Sequence, residues 1–288
     1  MKTTSDEEHK DAAELLVRYL GQVGFLLSFR GLTIAIDPYL TDSVDRLPGL
    51  PPGLWVRNYP PPVTPSELRT LDLVLCTHDH LDHTDPETLA GIAKASPQCC
   101  FAGPRLSARE MEGAGLPREQ ITVLNEGVPF KFRNLLVDPV AAAHEDYEID
   151  ADGFHRYLGY LLHWEGFTLF HAGDTLATPR LFEALKPHAI DIGFLPINGR
   201  DGHRKRLDIL GNMESREAIE LASRLRAGKG FELLVPTHHD LYPNNGASVA
   251  DFETACEAAP DPKPSFKVFL PGETIAYRKL FHGIAPDW

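Results

Sequence analysis

Short apolar runs separated by polar or glycine-containing turns recur along this 288-residue chain. Apolar runs of about four to eight residues bounded by turn signals are typical of buried strands, whereas longer amphipathic segments indicate helices. The pattern predicts strands at 23–29, 33–36, 73–76, 99–102, 135–142, 157–162, 168–170, 190–195 and 233–235. Helical signals alternate with several of these strands, and this order predicts a layered α/β fold.

Three segments have the spacing of a helix. Asp85 is a suitable N-cap, because Pro86 follows it at a position where proline is favoured in the first turn. The inner face of that helix would carry three apolar residues: Leu89, Ile92 and Ala93. Apolar periodicity predicts two further helices, at 213–225 and 249–258.

The main interruption of the pattern is a proline-rich insertion at about 48–65, which also contains Trp55 and Tyr59. Because proline fixes φ and lacks a backbone donor, this segment is predicted to be an extended loop and not a strand of a sheet. A lid, an oligomer contact and a plain surface excursion are the alternatives. Burial of the two aromatic side chains would argue against a plain excursion.

The length and the hydrophobic fraction of 43% are those of an ordinary globular protein, and no linker divides the chain. We therefore predict a single domain over residues 1–288. No apolar run approaches the roughly 20 residues that cross a bilayer, so no membrane span is expected. The first ten residues lack the basic start and apolar core of a signal peptide, which predicts a cytoplasmic location.

Chemically reactive side chains are concentrated where the strand predicted at 73–76 ends. Residues 78–83 read His-Asp-His-Leu-Asp-His, so three imidazoles and two carboxylates lie close together in sequence. A helix or strand would spread these side chains over different faces, whereas a loop can converge them. Histidine and carboxylate ligands are typical of catalytic metal sites. The alternative is a solvated turn rich in histidine, but this spacing after a β-like run favours a catalytic metal site.

Three further candidate ligands follow apolar runs downstream: His144, Asp174 and His238. Loops at one edge of a sheet gather into a common site. We therefore expect these three side chains to join the histidine-rich loop.

At these positions the chain resembles the metallo-β-lactamase superfamily, and within it the L-ascorbate-6-phosphate lactonase-like branch. The segments that carry the resemblance occur in the family's order: 24–27 with 34–39, 78–83, 171–175 and 236–240. The resemblance covers nearly the whole chain. It implies a four-layer αββα sandwich of the metallo-β-lactamase type.

The resemblance also implies two divalent metal ions. It gives their ligands as two sets of three: His78, His80 and His144 for one ion, and Asp82, His83 and His238 for the other. Asp174 would bridge the two ions. The adjoining His239 is the alternative to His238, but the family's Pro-x-His spacing favours His238. Zinc or manganese is expected, with iron as an alternative.

Two such ions would lower the pKa of a shared water from about 15.7 towards about 7 and hold the resulting hydroxide against an electrophile. Asp82 and Asp174 would be catalytic by orienting that hydroxide. The resemblance favours opening of a lactone in a sugar acid or sugar phosphate. One alternative is a phosphodiesterase acting on a cyclic nucleotide or on a phospholipid of the N-acyl-phosphatidylethanolamine type. Another is a non-catalytic metal-binding protein.

Several side chains near the predicted centre are candidates for substrate binding. Asn198 and Arg200 follow the strand predicted at 190–195, and arginine suits recognition of a carboxylate or phosphate. A solvated turn is the alternative for Arg200 and for the basic residues 204–206. Three more candidates lie beside predicted site segments: Tyr39, His171 and His239.

Charge narrows the choice of partner. The formal net charge of -13 opposes attraction to phosphate backbones, so nucleic acid is not expected to bind. The expected partner is a small anionic substrate, and a homo-oligomer is left open.

Overall fold

Two seven-stranded sheets form the centre of the computed structural model, which describes residues 12–48 and 53–280. The strands in chain order are β1 (Ala12–Gly21), β2 (Gly24–Phe29), β3 (Leu32–Ile36), β4 (Leu73–Leu75), β5 (Cys100–Gly103), β6 (Ile121–Val123), β7 (Phe130–Phe132), β8 (Leu135–Ala141), β9 (Leu158–Trp164), β10 (Phe167–His171), β11 (Ile190–Pro196), β12 (Phe231–Thr237), β13 (Ser265–Phe266) and β14 (Thr274–Leu280).

Each sheet is part antiparallel and part parallel. The first has the order β14-β1-β2-β3-β4-β5-β6, and the second has the order β13-β12-β11-β10-β9-β8-β7. Strands β3 to β6 run parallel, as do β10 to β13. Loops that follow parallel strands leave the sheet at a common edge, which is where the predicted ligands lie in sequence.

Helices cover the outer faces of the two sheets. They are α1 (Pro86–Ala95), α2 (Arg105–Gly113), α3 (Pro179–Leu185), α4 (Gly202–Arg206), α5 (Ser215–Arg226) and α6 (Val249–Ala258). As predicted, the Asp85 side chain caps α1 by accepting from the backbone N–H groups of Glu87 and Thr88. None of the described helices is long and apolar enough to cross a membrane.

Three apolar clusters hold these layers together. The largest lies between the sheets and includes Phe25, Trp164 and Phe167, all nearly or fully buried. A second joins the outer face of the second sheet to α3, α5 and α6, and a third joins the first sheet to α1 and α2. The layer order is therefore helix, sheet, sheet, helix.

The apolar pattern located nine strands and missed β1, β6, β7, β13 and β14. Strand β1 contains alanine, glutamate and leucine, which favour helices in isolation. It nevertheless pairs on both sides, with β2 and β14. Its burial alternates as a strand requires, because Leu15 and Val17 are fully buried whereas Leu16 is 42% exposed.

The proline-rich insertion is described over residues 53–65, whereas residues 49–52 lie outside the described part. Residues 53–65 contain no strand, as expected, and they pack against the segment that follows β12. The Trp55 ring meets the Tyr242 ring edge-on at 5.3 Å. The Asn58 N–H donates to the Leu241 carbonyl at 2.8 Å. The insertion therefore contributes to the surroundings of the loop that carries His238.

Candidate metal centre

The histidine-rich loop leaves β4 and folds back on itself before α1. The N–H groups of His83 and Thr84 both donate to the His80 carbonyl, at 2.9 and 2.8 Å. The Thr84 hydroxyl donates to the His78 carbonyl at 2.5 Å. These bonds make a tight turn, from which the four predicted ligands of the loop converge: His78, His80, Asp82 and His83.

The second sheet supplies the other three predicted ligands: His144 after β8, Asp174 after β10 and His238 after β12. Asp174 is positioned through Gly173, whose φ of 59° lies in the left-handed region. A Cβ atom on Gly173 would lie only 2.8 Å from the Thr77 Cβ. Glycine therefore allows the loop after β10 to approach the loop after β4.

Two adjoining groups of candidate ligands have their ligand atoms within 4.8 Å of one another: His78, His80 and His144, and Asp82, His83 and His238. A third group, equally close, joins Asp174 to one histidine from each of these two, His78 and His83. Asp174 therefore lies between the first two groups. Its Oδ1 is 3.5 Å from His83 Nε2. Its Oδ2 is 3.3 Å from His238 Nε2 and 3.6 Å from His144 Nε2. All seven side chains predicted as ligands are thus brought together.

In His83 and His78, Nε2 faces the cluster because Nδ1 on the other side of the ring is engaged by a neighbouring side chain. Nδ1 of His83 donates to an Asp37 carboxylate oxygen at 2.9 Å. Nδ1 of His78 is 3.1 Å from the Thr77 hydroxyl, which itself donates to Asp37 at 2.6 Å. Partners of this kind fix the tautomer and the ring orientation of metal-binding histidines.

The arrangement passes a test of fit for divalent ions. Besides His238 Nδ1, three buried atoms of the candidate ligands have no hydrogen-bond partner among the described residues: His78 Nε2, His83 Nε2 and Asp174 Oδ1. Buried polar atoms are normally paired, so each of these needs an explanation. Imidazole nitrogens and carboxylate oxygens are ligands of zinc, iron and manganese. Divalent cations bound at the two ligand groups would satisfy all three atoms.

Electrostatics keep much of the cluster in a metal-binding state. Burial lowers the pKa of His78 well below its usual value and lowers that of His144 to about 4. Burial would raise the pKa of Asp174, but His238 and His83 outweigh it and hold that pKa well below its usual range. For His83, burial lowers the pKa but Asp174 outweighs it, so the pKa is raised. Metal binding to His83 would therefore displace a proton.

Two residues of this site were not identified from the sequence. Asp37, directly after β3, is fully buried with φ of 43°, and it also accepts from the Thr77 N–H at 2.7 Å. Its position at the end of a buried strand is the signal that could have revealed it. Tyr157 packs against all three histidines of one group, with ring centres 5.3 to 5.9 Å away: His78, His80 and His144.

His171, predicted to bind substrate, has both ring nitrogens occupied. Nε2 donates to the Val23 carbonyl at 2.8 Å, and Nδ1 accepts from the Gly173 N–H at 3.2 Å. These bonds tie the loop of Asp174 to the start of the first sheet. The structure gives His171 a positioning contact, and its role in substrate binding stays a prediction.

Tyr39 and His239 lie next to the ligand groups and not within them. The Tyr39 hydroxyl accepts from the Tyr242 hydroxyl at 3.0 Å. The His239 ring is parallel to the Tyr19 ring, with centres 6.5 Å apart. Of the histidine doublet, His238 is the member that joins a ligand group.

Arg200 lies against the backbone that supports His144. A Cβ on Gly211 would be 2.3 Å from the Arg200 Cβ, and the Gly211 carbonyl accepts from His144 Nδ1 at 3.1 Å. The Arg200 guanidinium donates to both carboxylate oxygens of Glu217, at 2.6 and 2.7 Å. Its charge is therefore already paired, so an anionic substrate would have to share it or displace Glu217.

Asn198 belongs to a buried chain of amides. Its Nδ2 donates to Asn245 Oδ1 at 2.9 Å, and its Oδ1 accepts from Asn212 Nδ2 at 3.0 Å. Arg204 joins the same chain by donating to Asn245 Oδ1 at 3.1 Å. The basic segment forms the short helix α4. The bond from Arg204 to Asn245 anchors this helix to the rest of the protein.

Comparison with known proteins agrees with this fold and site. The family model of the β-lactamase superfamily domain matches residues 16–238. A curated protein of Escherichia fergusonii, named probable L-ascorbate-6-phosphate lactonase, is 27% identical over 229 residues. The alignment covers 75% of this chain and 62% of that protein. The chain thus matches less than two thirds of the length of that relative.

Two solved structures resemble nearly the whole chain. The isothiocyanate hydrolase from Delia radicum gut bacteria has a TM-score of 0.71 and 19% identity, and the match covers 91% of this chain and 98% of that one. Igni18, a metallo hydrolase from Ignicoccus hospitalis, has a TM-score of 0.65 and 23% identity, with 92% and 98% covered. These similarities confirm the predicted fold. Together with the family match over most of its length, they show that the chain belongs to the metallo-β-lactamase superfamily.

Proposed function

We propose that this chain is a dinuclear metal-dependent hydrolase that opens a lactone in a small anionic substrate, a sugar acid or sugar phosphate, in the cytoplasm. The observation that carries the proposal is the position of Asp174 between two groups of three candidate ligands. One ion would need only one such group. Two groups that share a carboxylate suit two ions acting together.

The proposed ligands are those predicted from the sequence: His78, His80 and His144 for one ion, Asp82, His83 and His238 for the other, and Asp174 for both. Divalent zinc or manganese, with iron as the alternative, would acidify a water molecule and polarise the scissile bond. Asp174 and Asp82 would accept hydrogen bonds from that water and orient it towards the substrate. Asp174 remains ionised for this task because its pKa is held well below its usual range.

Water has little competition as the nucleophile from the neighbouring side chains. The Thr77 hydroxyl touches His78, but it donates to Asp37 at 2.6 Å. Burial raises the pKa of the Cys76 thiol, so this thiol stays protonated at neutral pH. These contacts support hydrolysis without a covalent intermediate on the protein.

The lactone is proposed because the curated relative reported above carries that name at 27% identity. An exposed apolar rim near Trp55 would instead favour a lipid substrate. The Trp55 ring packs edge-on against Tyr242, which leaves less of it free to contact lipid. A small polar substrate is therefore favoured over a phospholipid.

Metal-depleted protein, reloaded with zinc, manganese or iron, should be offered sugar-acid lactones, phosphorylated lactones, carboxylic esters and phosphodiesters. We expect turnover only after reloading, with kcat/KM for the best lactone at least roughly tenfold above that for any phosphodiester. Faster cleavage of phosphodiesters would replace the lactonase proposal with the phosphodiesterase alternative. Metal binding without turnover of any substrate would indicate a non-catalytic protein.

The proposed contact of Arg200 with a substrate anion predicts a selective effect. Arg200→Ala should lower kcat/KM by roughly ten- to a hundredfold for anionic substrates and leave neutral lactones little changed, because charge-assisted hydrogen bonds contribute about 1.5–3 kcal/mol. Steady-state kinetics on matched charged and neutral substrates measures this.

Glu217→Gln is the matched control, since it keeps the size of the partner and releases the guanidinium. If Arg200 reads the substrate, this variant should lower KM for anionic substrates. Equal losses on charged and neutral substrates in both variants would show that the ion pair supports the loop of Gly211 and does not bind substrate.

A further inference from the structure

Gln22 lies at the turn between β1 and β2 and is only 1% exposed. Its carboxamide reaches the ligand group of Asp82, His83 and His238, here called the second ligand group. Nε2 of Gln22 donates to Asp82 Oδ2 at 2.7 Å and lies 3.2 Å from His238 Nε2. Gln22 and Asp82 are 60 residues apart in the chain. Nothing in the family resemblance or the sequence pattern singled out this side chain.

The backbone of Gln22 fixes the place from which the carboxamide acts. Its φ of 58° is left-handed, and its carbonyl accepts from the His238 N–H at 2.7 Å. His238 itself has a φ of 57°. The turn after β1 is therefore fastened to the loop after β12, and the Gln22 side chain extends from that junction to Asp82.

The contact with Gln22 is what fixes the orientation of the Asp82 carboxylate. Nδ1 of His83 is held by Asp37, whereas within the described part of the chain the Asp82 carboxylate accepts its one hydrogen bond from Gln22. The Asp82 side chain is also 19% exposed, compared with 0% for His83. The nearest imidazole nitrogens, Nε2 of His83 and of His238, lie farther from Asp82 Oδ2, at 3.9 and 3.8 Å. Without Gln22, no hydrogen bond would fix the orientation of the carboxylate.

Packing alone does not explain why a glutamine is buried here. Gln22 Oε1 is buried without a hydrogen-bond partner among the described residues. Burying such an atom opposes folding, and an apolar side chain would avoid that loss. The amide N–H of Gln22 does have a partner, because it donates to Asp82. That hydrogen bond accounts for a glutamine at this buried position.

We propose that Gln22 is a positioning residue of the second metal site: its amide N–H holds the Asp82 carboxylate in the orientation that binds the ion shared with His83 and His238. The inference rests on the proposed function, since it presupposes an ion at that site. Ligating carboxylates are commonly held by hydrogen bonds, and loss of such a partner typically weakens metal affinity about 10- to 100-fold.

Two variants separate this role from a structural one. Gln22→Met keeps the length and burial of the side chain but removes its donors. Gln22→Asn keeps an amide and tolerates left-handed φ, but it is one methylene too short to reach Asp82 in the same way. Gln120→Met is the control, because the Gln120 amide bonds to the Pro97 carbonyl and to no member of the metal centre.

The measurement is stepwise zinc binding to metal-depleted protein, by competition with a chromophoric chelator, together with thermal unfolding of the metal-free protein. Both Gln22 variants should bind the ion of the His78, His80 and His144 group with wild-type affinity. They should bind the second ion, that of the Asp82 group, about 10- to 100-fold more weakly, and the temperature of thermal unfolding should change little. Unchanged second-ion affinity, or equal loss of both ions with lowered thermal stability, would overturn the positioning role. Failure of the wild-type protein to bind a second ion would instead overturn the proposed dinuclear function.

Discussion

Replacing Asp174 with alanine should release metal from both positions and lower kcat/KM by at least roughly a thousandfold. The reason is its central place. Its two carboxylate oxygens lie 3.3 to 3.6 Å from ligand nitrogens of both groups, at His83, His238 and His144. If Asp174 is the proposed shared ligand, its removal would weaken both metal sites and would remove an acceptor for the proposed nucleophilic water. Elemental analysis of the reloaded variant and steady-state kinetics measure the two effects.

The histidine doublet supplies matched controls for this experiment. His238→Ala should mainly weaken the binding of one ion, because His238 belongs to a single ligand group. His239→Ala should keep both ions, because its ring packs beside Tyr19 outside the groups. Wild-type metal content and turnover in Asp174→Ala would refute the shared role. A larger metal loss in His239→Ala than in His238→Ala would reverse the assignment within the doublet.

The places of the candidate ligands could be predicted because each follows an apolar strand. Strands β10 to β12 are almost wholly buried, so their sequences are nearly continuous apolar runs. A polar residue just after such a run lies at the edge of the sheet. This reasoning located Asp174 and His238, which the structure brings into the same cluster as the loop after β4.

Pairings between distant segments could not be predicted in the same way. Arg200 follows β11, and its position at that edge suggested a contact with substrate. The structure pairs its guanidinium with Glu217 on α5, and nothing in the local spacing identifies that partner. Strand β1 was missed for a similar reason. Its own composition favours a helix, and only pairing with β2 and with β14, far along the chain, makes it a strand.

Asp37 shows how such a distant pairing can determine chemistry. Its buried carboxylate accepts from the Thr77 N–H and hydroxyl at 2.7 and 2.6 Å and from His83 Nδ1 at 2.9 Å. Because a carboxylate only accepts, the proton of a neutral His83 ring must lie on Nδ1. The lone pair on Nε2 is then free to face the cluster. The same Asp37 contacts therefore stabilise the loop after β4 and prepare His83 to bind a metal ion.

Asp37→Ala should therefore lower the free energy of unfolding of the metal-free protein by about 3–5 kcal/mol, as expected when one partner of a buried charged pair is removed. It should also lower the affinity for the ion proposed to bind His83 by roughly 10- to 100-fold. Denaturant unfolding and chelator competition measure these effects. Asp45→Ala, at an exposed position in the turn Ser43–Arg46, is the control and should change stability by less than about 0.5 kcal/mol.

Asp37→Asn separates the two effects, because it keeps the volume of the side chain and an oxygen that can accept from Thr77. Its amide N–H would face His83 Nδ1 and favour the tautomer with the proton on Nε2, the atom that faces the cluster. We therefore expect a smaller loss of stability than in Asp37→Ala, but a loss of metal affinity at least as large. Wild-type affinity in Asp37→Asn would mean that Asp37 does not set the tautomer of His83.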